Sequence, residues 1–243
     1  MKRQFLGLLI MGACVTAAHA DDQDSVTLYG ILDTAVGMVE HSANGSSTFP
    51  STINSVSKTK FQNSVWGMFN GGLSDSRWGI RGNENLGGGM HAFFDLESGI
   101  DVNSGTLNNT AASIAGSNQT VGAPSALNGQ LFNRAAYVGI GQDQYGSLKF
   151  GRTPTLGFYT IVDYDPMFAS QLFSPLGFSG SYYAGGITEG SRTDNNVVYT
   201  NHFGPINVGL SYGFGGQAGN FGAGSTWGGN LGYEAHGLGI QAT

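Results

Sequence analysis

Arg77 and Arg81 stand four residues apart in the segment Ser76 to Gly82, with the apolar Trp78 and Ile80 between them. Successive side chains of an extended chain point to opposite sides, so both guanidinium groups leave one face and both apolar groups the other. His91, Phe93, Asp95 and Glu97 alternate in the same way with Met90, Ala92, Phe94 and Leu96. Cations and carboxylates gathered on one wetted face can orient water, ions and dipolar solutes. They do not by themselves make or break bonds. The sequence contains no Ser-His-Asp ordering, HExxH, CxxC or phosphate loop, and its five His residues are scattered. Gly87-Gly88-Gly89 joins two alternating segments rather than opening a helix, so it reads as a turn and not as a nucleotide cradle. No catalytic, metal-binding or cofactor-binding residue is expected, and no cofactor.

The composition says what kind of element must carry these charges. Only 11% of the 243 residues are charged, while Gly reaches 41 and Pro only 6, and aromatic residues make up 12%. A disordered chain would be more charged and poorer in aromatics, and a collagen would need strict Gly periodicity. Strands and turns remain. Lys2 and Arg3 followed by the mostly apolar Phe5 to Val15 and by Ala18-His19-Ala20 form an export leader, giving a signal peptide over 1–20 and a mature chain over 21–243. Gly12-Ala13-Cys14 is a fainter match to a lipoprotein cleavage site. Cleavage after Ala20 removes two of the ten basic residues, leaving eight, and moves the net charge from −6 to −8. A negative chain of this kind is not built to bind nucleic acid. It also loses its single Cys and uses no disulfide.

Beyond the leader no apolar run is long enough for a spanning helix, which needs about 20 residues. A membrane strand needs only about 9–11, with one face in lipid and the other wet. Val26, Leu28, Gly30 and Leu32 alternate with Thr27, Tyr29, Ile31 and Asp33, and Ile206, Val208, Leu210, Tyr212 and Phe214 with Asn207, Gly209, Ser211 and Gly213. The small residues of the second set suit a crowded or wet interior. Strands are expected to begin near Ser25, Ser76, Met90, Leu131, Tyr145, Arg192, Pro205, Thr226 and Leu238. Long connections, Asn103 to Gln130 and Thr153 to Ser191, alternate with short ones at Gly87 to Gly89, Gln142 to Gln144, Gly204-Pro205 and His236-Gly237. A membrane barrel sorts its loops in this way, and a soluble β-sandwich has no reason to. Tyr29, Trp78, Tyr137, Tyr199 and Phe203 lie near strand ends and are candidates for interfacial girdles, with ordinary packing as the alternative.

Val26-Thr-Leu-Tyr-Gly-Ile-Leu-Asp33, Ser76-Arg-Trp-Gly-Ile-Arg-Gly-Asn-Glu-Asn-Leu-Gly-Gly-Gly89, Asn133-Arg-Ala-Ala-Tyr-Val-Gly-Ile140 and Tyr145-Gly-Ser-Leu-Lys-Phe-Gly-Arg152 together resemble the general diffusion porins of betaproteobacteria. The resemblance implies an all-β fold, an antiparallel transmembrane β-barrel of sixteen strands. It implies a homotrimer in the outer membrane, in contact with lipid and lipopolysaccharide, whose water-filled channels pass small hydrophilic solutes and ions. About nine strands fit in this sequence, and the closing strand with its terminal aromatic is not among them. The expectation is therefore a fragment holding an incomplete barrel. Nine strands with open edges would leave unpaired backbone groups in hydrocarbon.

The resemblance also assigns roles. Arg134 and Arg192 match positions on the family's basic wall, where parity already places Arg77 and Arg81; ordinary surface arginines are the alternative. The stretch 153–191 resembles the loop that folds into the barrel and sets its width, which its aromatics, from Phe158 and Tyr159 through Phe173, Phe178, Tyr182 and Tyr183, support. Asp163 and Asp165 would then face the arginines, unless the loop is external and both carboxylates are solvated. Glu189 and Asp194 are weaker members of the acidic set. Arg152 could serve the channel or a subunit interface. Two further readings stay open. An outer-membrane barrel enzyme or adhesin would act without conductance, and an exported soluble β-sandwich binding protein would not partition into detergent.

Overall fold

The computed structural model describes residues 24–41, 63–107, 131–168, 170 and 192–243. The leader, most of the 103–130 connection and Phe173, Phe178, Tyr182, Tyr183 and Glu189 lie outside them. Twelve strands and one helix follow in order: β1 Asp24–Ile31, β2 Thr34–His41, β3 Asn63–Asn70, β4 Arg77–Gly87, β5 Met90–Asp101, β6 Thr106–Leu107, β7 Ala135–Gln142, β8 Gly146–Pro154, α1 Leu156–Tyr164, β9 Arg192–Phe203, β10 Ile206–Gly213, β11 Thr226–Ala235 and β12 Leu238–Ala242. Nine of the strands form one antiparallel sheet in the order β1-β4-β5-β7-β8-β9-β10-β11-β12, with β6 paired to the end of β5. The sheet is not closed, and β1 and β12 are its edges among the described residues. Each of the nine corresponds to a strand expected from the alternation.

The turns repeat the sorting seen in the sequence. Gly88-Gly89, Asp143 to Tyr145, Gly204-Pro205 and His236-Gly237 connect their strands in two or three residues, and the connections between β5 and β7 and between β8 and β9 are long. Gly87, Gly88 and Gly89 all have positive φ, between 64° and 81°. Side-chain-bearing residues would be strained in that turn.

A two-stranded ladder of β2 and β3, which alternation alone does not predict, continues the β1/β4 hairpin beyond a break. Asp33 makes the break. Its carboxylate accepts from the backbone N–H groups of Gly72, Leu73 and Ser74 at 3.1, 2.7 and 2.7 Å, while Ser76 Oγ donates to its carbonyl and accepts from its N–H. The bend therefore leaves these backbone groups satisfied although both strands stop pairing there.

The two faces of the sheet differ in chemistry. On the outer face Val26, Leu28, Leu231 and Ile240 are 72%, 68%, 60% and 60% exposed, and Val138, Phe150 and Leu210 are exposed with them. Among the described residues only Ala35, Ala135, Leu156 and Val198 form a buried apolar set. A water-soluble fold does not leave a continuous apolar face of this extent uncovered; an acyl environment matches it. No described helix is long and apolar enough to cross a membrane.

Glycine fits rings to both faces. Tyr29 lies over Gly79, Phe93 over Gly139, His91 over Gly141 and Phe94 over Gly82, where an added Cβ would stand 2.3–2.7 Å from ring atoms. At these four positions glycine is space for an aromatic on the neighbouring strand.

Candidate functional site

The opposite face carries the charges and α1, and is called the inner face. Register brings the β4, β5 and β7 side chains together there, since Arg81 pairs with Asp95 and Asp95 with Tyr137, while Arg77 lies one row away. Glu97 sits between two arginines: its Oε2 is 3.3 Å from Arg77 Nε and its Oε1 2.6 Å from Arg134 Nε. Arg134 also reaches Asp75 Oδ2 at 2.6 Å. Arg77 spends a further nitrogen on Ser74 Oγ and the Asp75 carbonyl.

The buried arginines continue as a chain. Arg152 donates from Nε to the Asn133 carbonyl at 2.8 Å and from Nη1 to Asp194 at 2.5 Å. Arg192 donates from Nε to the Arg134 carbonyl at 2.9 Å, and its guanidinium carbon lies 4.5 Å from the centre of the Phe158 ring. Arg134, Arg152 and Arg192 are all buried. Arg81 is exposed and stands over the Tyr29 ring at 5.0 Å; Lys149 stands over the Tyr137 ring at 5.3 Å.

Helix α1 begins at Thr155, whose Oγ1 accepts from Phe158 N at 3.1 Å and so caps the first turn. It crosses the inner face. Phe158 covers Arg192, Leu156 fills the place of a side chain at Gly209, and Tyr164 lies against Gly239. Thr160 Oγ1 donates to the Leu156 carbonyl at 3.1 Å, accepts from Gln241 Nε2 at 3.1 Å and lies 3.4 Å from Asn230 Nδ2. Gly209, one of the small residues read from β10 as lining a crowded or wet interior, is therefore a landing place for the helix.

The sequence-selected residues can now be placed. Arg77, Arg81, Arg134 and Arg192 all belong to the inner face, three of them within one connected network. Asp163 is exposed on α1. Asp165 is buried at the end of the helix, where its Oδ1 accepts from Met167 N at 2.9 Å. Three carboxylates of the sheet side, Asp75, Glu97 and Asp194, are bound to arginine. Parity marked Glu97 as inward, but only the register of three strands shows which arginines it meets. Arg152 is buried on Asp194 rather than presented at an outer surface. Tyr29 and Tyr137 correct the girdle expectation, because both rings lie on the inner face and their hydroxyls are directed at Asp95. Trp78 and Tyr199 occupy the outer parity, Tyr199 donating to the Tyr145 carbonyl at 2.8 Å. No group of three metal-binding side chains occurs among the described residues.

Comparison with known proteins agrees with this architecture. A family model described as Gram-negative porin matches residues 7–243. The chain is 33% identical to an outer membrane porin protein of Bordetella pertussis over 217 residues, covering 88% of this chain and 48% of that protein. It is 28% identical to the outer membrane porin protein 32 of Delftia acidovorans, covering 88% and 50%. The chain thus spans about half the length of these curated relatives. Among solved structures it is similar to the anion-selective porin from Comamonas acidovorans, with a TM-score of 0.64 and 26% identity over 90% of this chain and 56% of that one. A Salmonella typhi OmpF complex with daunomycin shares the fold at a TM-score of 0.51 and 16% identity, over 93% and 55%.

Proposed function

Because this chain belongs to the Gram-negative porin family and to the outer membrane, we propose that its protein forms a water-filled channel through which small hydrophilic solutes and ions diffuse passively. The observation that carries the proposal is the division of one antiparallel sheet into an uncovered apolar face and a charged face crossed by a helix. An uncovered apolar face needs lipid, and a face holding this many charges needs water.

In this reading Arg77, Arg81, Arg134 and Arg192 form the basic side of the channel. Asp163 and Asp165 belong to the acidic side, on the stretch 153–191 that narrows it. The likeness to an anion-selective porin supports a preference for anions. The protein works without catalysis or cofactor, as a homotrimer bounded by lipid and lipopolysaccharide.

Planar bilayers provide the test. The reconstituted protein should add discrete, ohmic conductance steps, with a reversal potential favouring anions in a salt gradient. Membrane-inserted protein that hydrolyses a lipid or ester and shows no steps would contradict the proposal and favour a barrel enzyme.

A further inference from the structure

Not all the inner-face cations are equivalent, and the difference lies in what holds them. Arg77, Arg134 and Arg152 each have a carboxylate oxygen within 3.3 Å. Such pairs cancel locally and use up the donors of the guanidinium fork. Arg81 and Lys149 have no carboxylate within 4 Å among the described residues, and each instead faces a tyrosine ring. A ring face attracts the cation but takes none of its N–H donors.

That arrangement is the less obvious one for Arg81, because Asp95 is its direct cross-strand neighbour. Opposite charges at such positions ordinarily pair. Here the Asp95 oxygens face neutral donors: the Tyr29 hydroxyl is 2.7 Å from Oδ1, closer than its second acceptor Glu97 Oε2 at 3.1 Å, and the Tyr137 hydroxyl is 3.5 Å from Oδ2. The same two tyrosines supply the rings under Arg81 and Lys149. Each phenol thus acts at both ends, its hydroxyl occupying the carboxylate and its ring holding the cation away from it.

We infer that Arg81 and Lys149 are the contact points for permeating anions, and that Tyr29 and Tyr137 are positioning residues that keep them off Asp95. Small inorganic anions and carboxylates are the solutes with the matching chemistry: they accept from donors that the rings leave open. The inference rests on the channel reading above and adds to it a division of labour. Arg77, Arg134 and Arg152 hold the wall together, and Arg81 and Lys149 meet the solute.

A substitution that leaves charge untouched separates this from a simple count of charges. Tyr29→Leu removes both the ring beneath Arg81 and the donor to Asp95, so Arg81 collapses onto the carboxylate. The chloride-to-potassium permeability ratio, read from reversal potentials in planar bilayers, should fall, and Arg81→Gln should lower it further, by about tenfold, since one unit charge about 6 Å away in water acts about threefold and oppositely on each ion. Adding Asp95→Asn to Tyr29→Leu should return the ratio to that of the Asp95→Asn single variant, because Arg81 then has no cross-strand carboxylate to meet and the lost carboxylate charge is common to both. Tyr137→Leu makes the same test for Lys149 and serves if the Tyr29 variant does not insert. Conducting Tyr29→Leu or Tyr137→Leu pores that keep the wild-type ratio would overturn the inference while leaving the channel intact. Wild-type protein without conductance steps would remove the channel reading and this inference with it.

Discussion

Glu97 has two arginines to satisfy, and Arg134 has two carboxylates. Burying such a network is costly unless every member keeps its partner. Arg134→Met would take the shared buried partner from Asp75 and Glu97, and should cost about 3–5 kcal/mol of stability, the usual penalty for breaking a buried charge pair. Combining it with Glu97→Gln should recover part of that loss, which urea titration of the folded species in detergent can measure. At this scale the sequence was informative about direction but not about partners. Alternation placed Arg77, Arg81, Asp95 and Glu97 on one face. Which of them touch depends on a register shared with β7 and on Arg134, 37 positions from Glu97, and no local pattern carries that.

Helix α1 and the β2/β3 ladder show what alternation could not supply. The helix is nine residues long and sits in a segment that reads as an aromatic-rich loop. Its signal was displaced to its docking partners, where glycine at 209 and 239 makes room for Leu156 and Tyr164. Thr160 holds it to β11 and β12 through Asn230 and Gln241. Thr160→Val keeps the shape of the side chain and removes these bonds, at about 1 kcal/mol each. A looser helix should raise current noise in open channels and slightly enlarge the solute admitted in liposome-swelling assays; unchanged noise and cut-off would show that the helix is held elsewhere. The ladder depends on Asp33 in a comparable way. Asp33→Ala strips a charged acceptor from three backbone amides and should destabilise the fold by about 3 kcal/mol, seen as a lower dissociation temperature on semi-native gels. The nine principal strands were legible because one face of each must be apolar, whereas β2 and β3 carry only a short alternation, Val36 and Met38 against Trp66 and Met68, beside a local carboxylate cap at Asp33.

For the molecule as a whole, sheet order, turn lengths and face chemistry converge on one arrangement. Neighbouring strands follow the chain in sequence, apart from the excursion of β2 and β3, and short turns alternate with long connections. The outer rows on β1, β10, β11 and β12 are exposed among the described residues. That the apolar rows meet lipid while the charged rows meet water is the claim on which channel, site and selectivity all depend. The direct measurement is cysteine scanning in a Cys14→Ser background, with single substitutions along β1 and β10 in proteoliposomes. Thr27→Cys and Asn207→Cys should react with a charged, membrane-impermeant maleimide, while Val26→Cys, Leu28→Cys and Leu210→Cys should resist it and react with a lipid-soluble probe. Equal labelling of the two sets by the charged reagent, or the reverse pattern, would contradict the account.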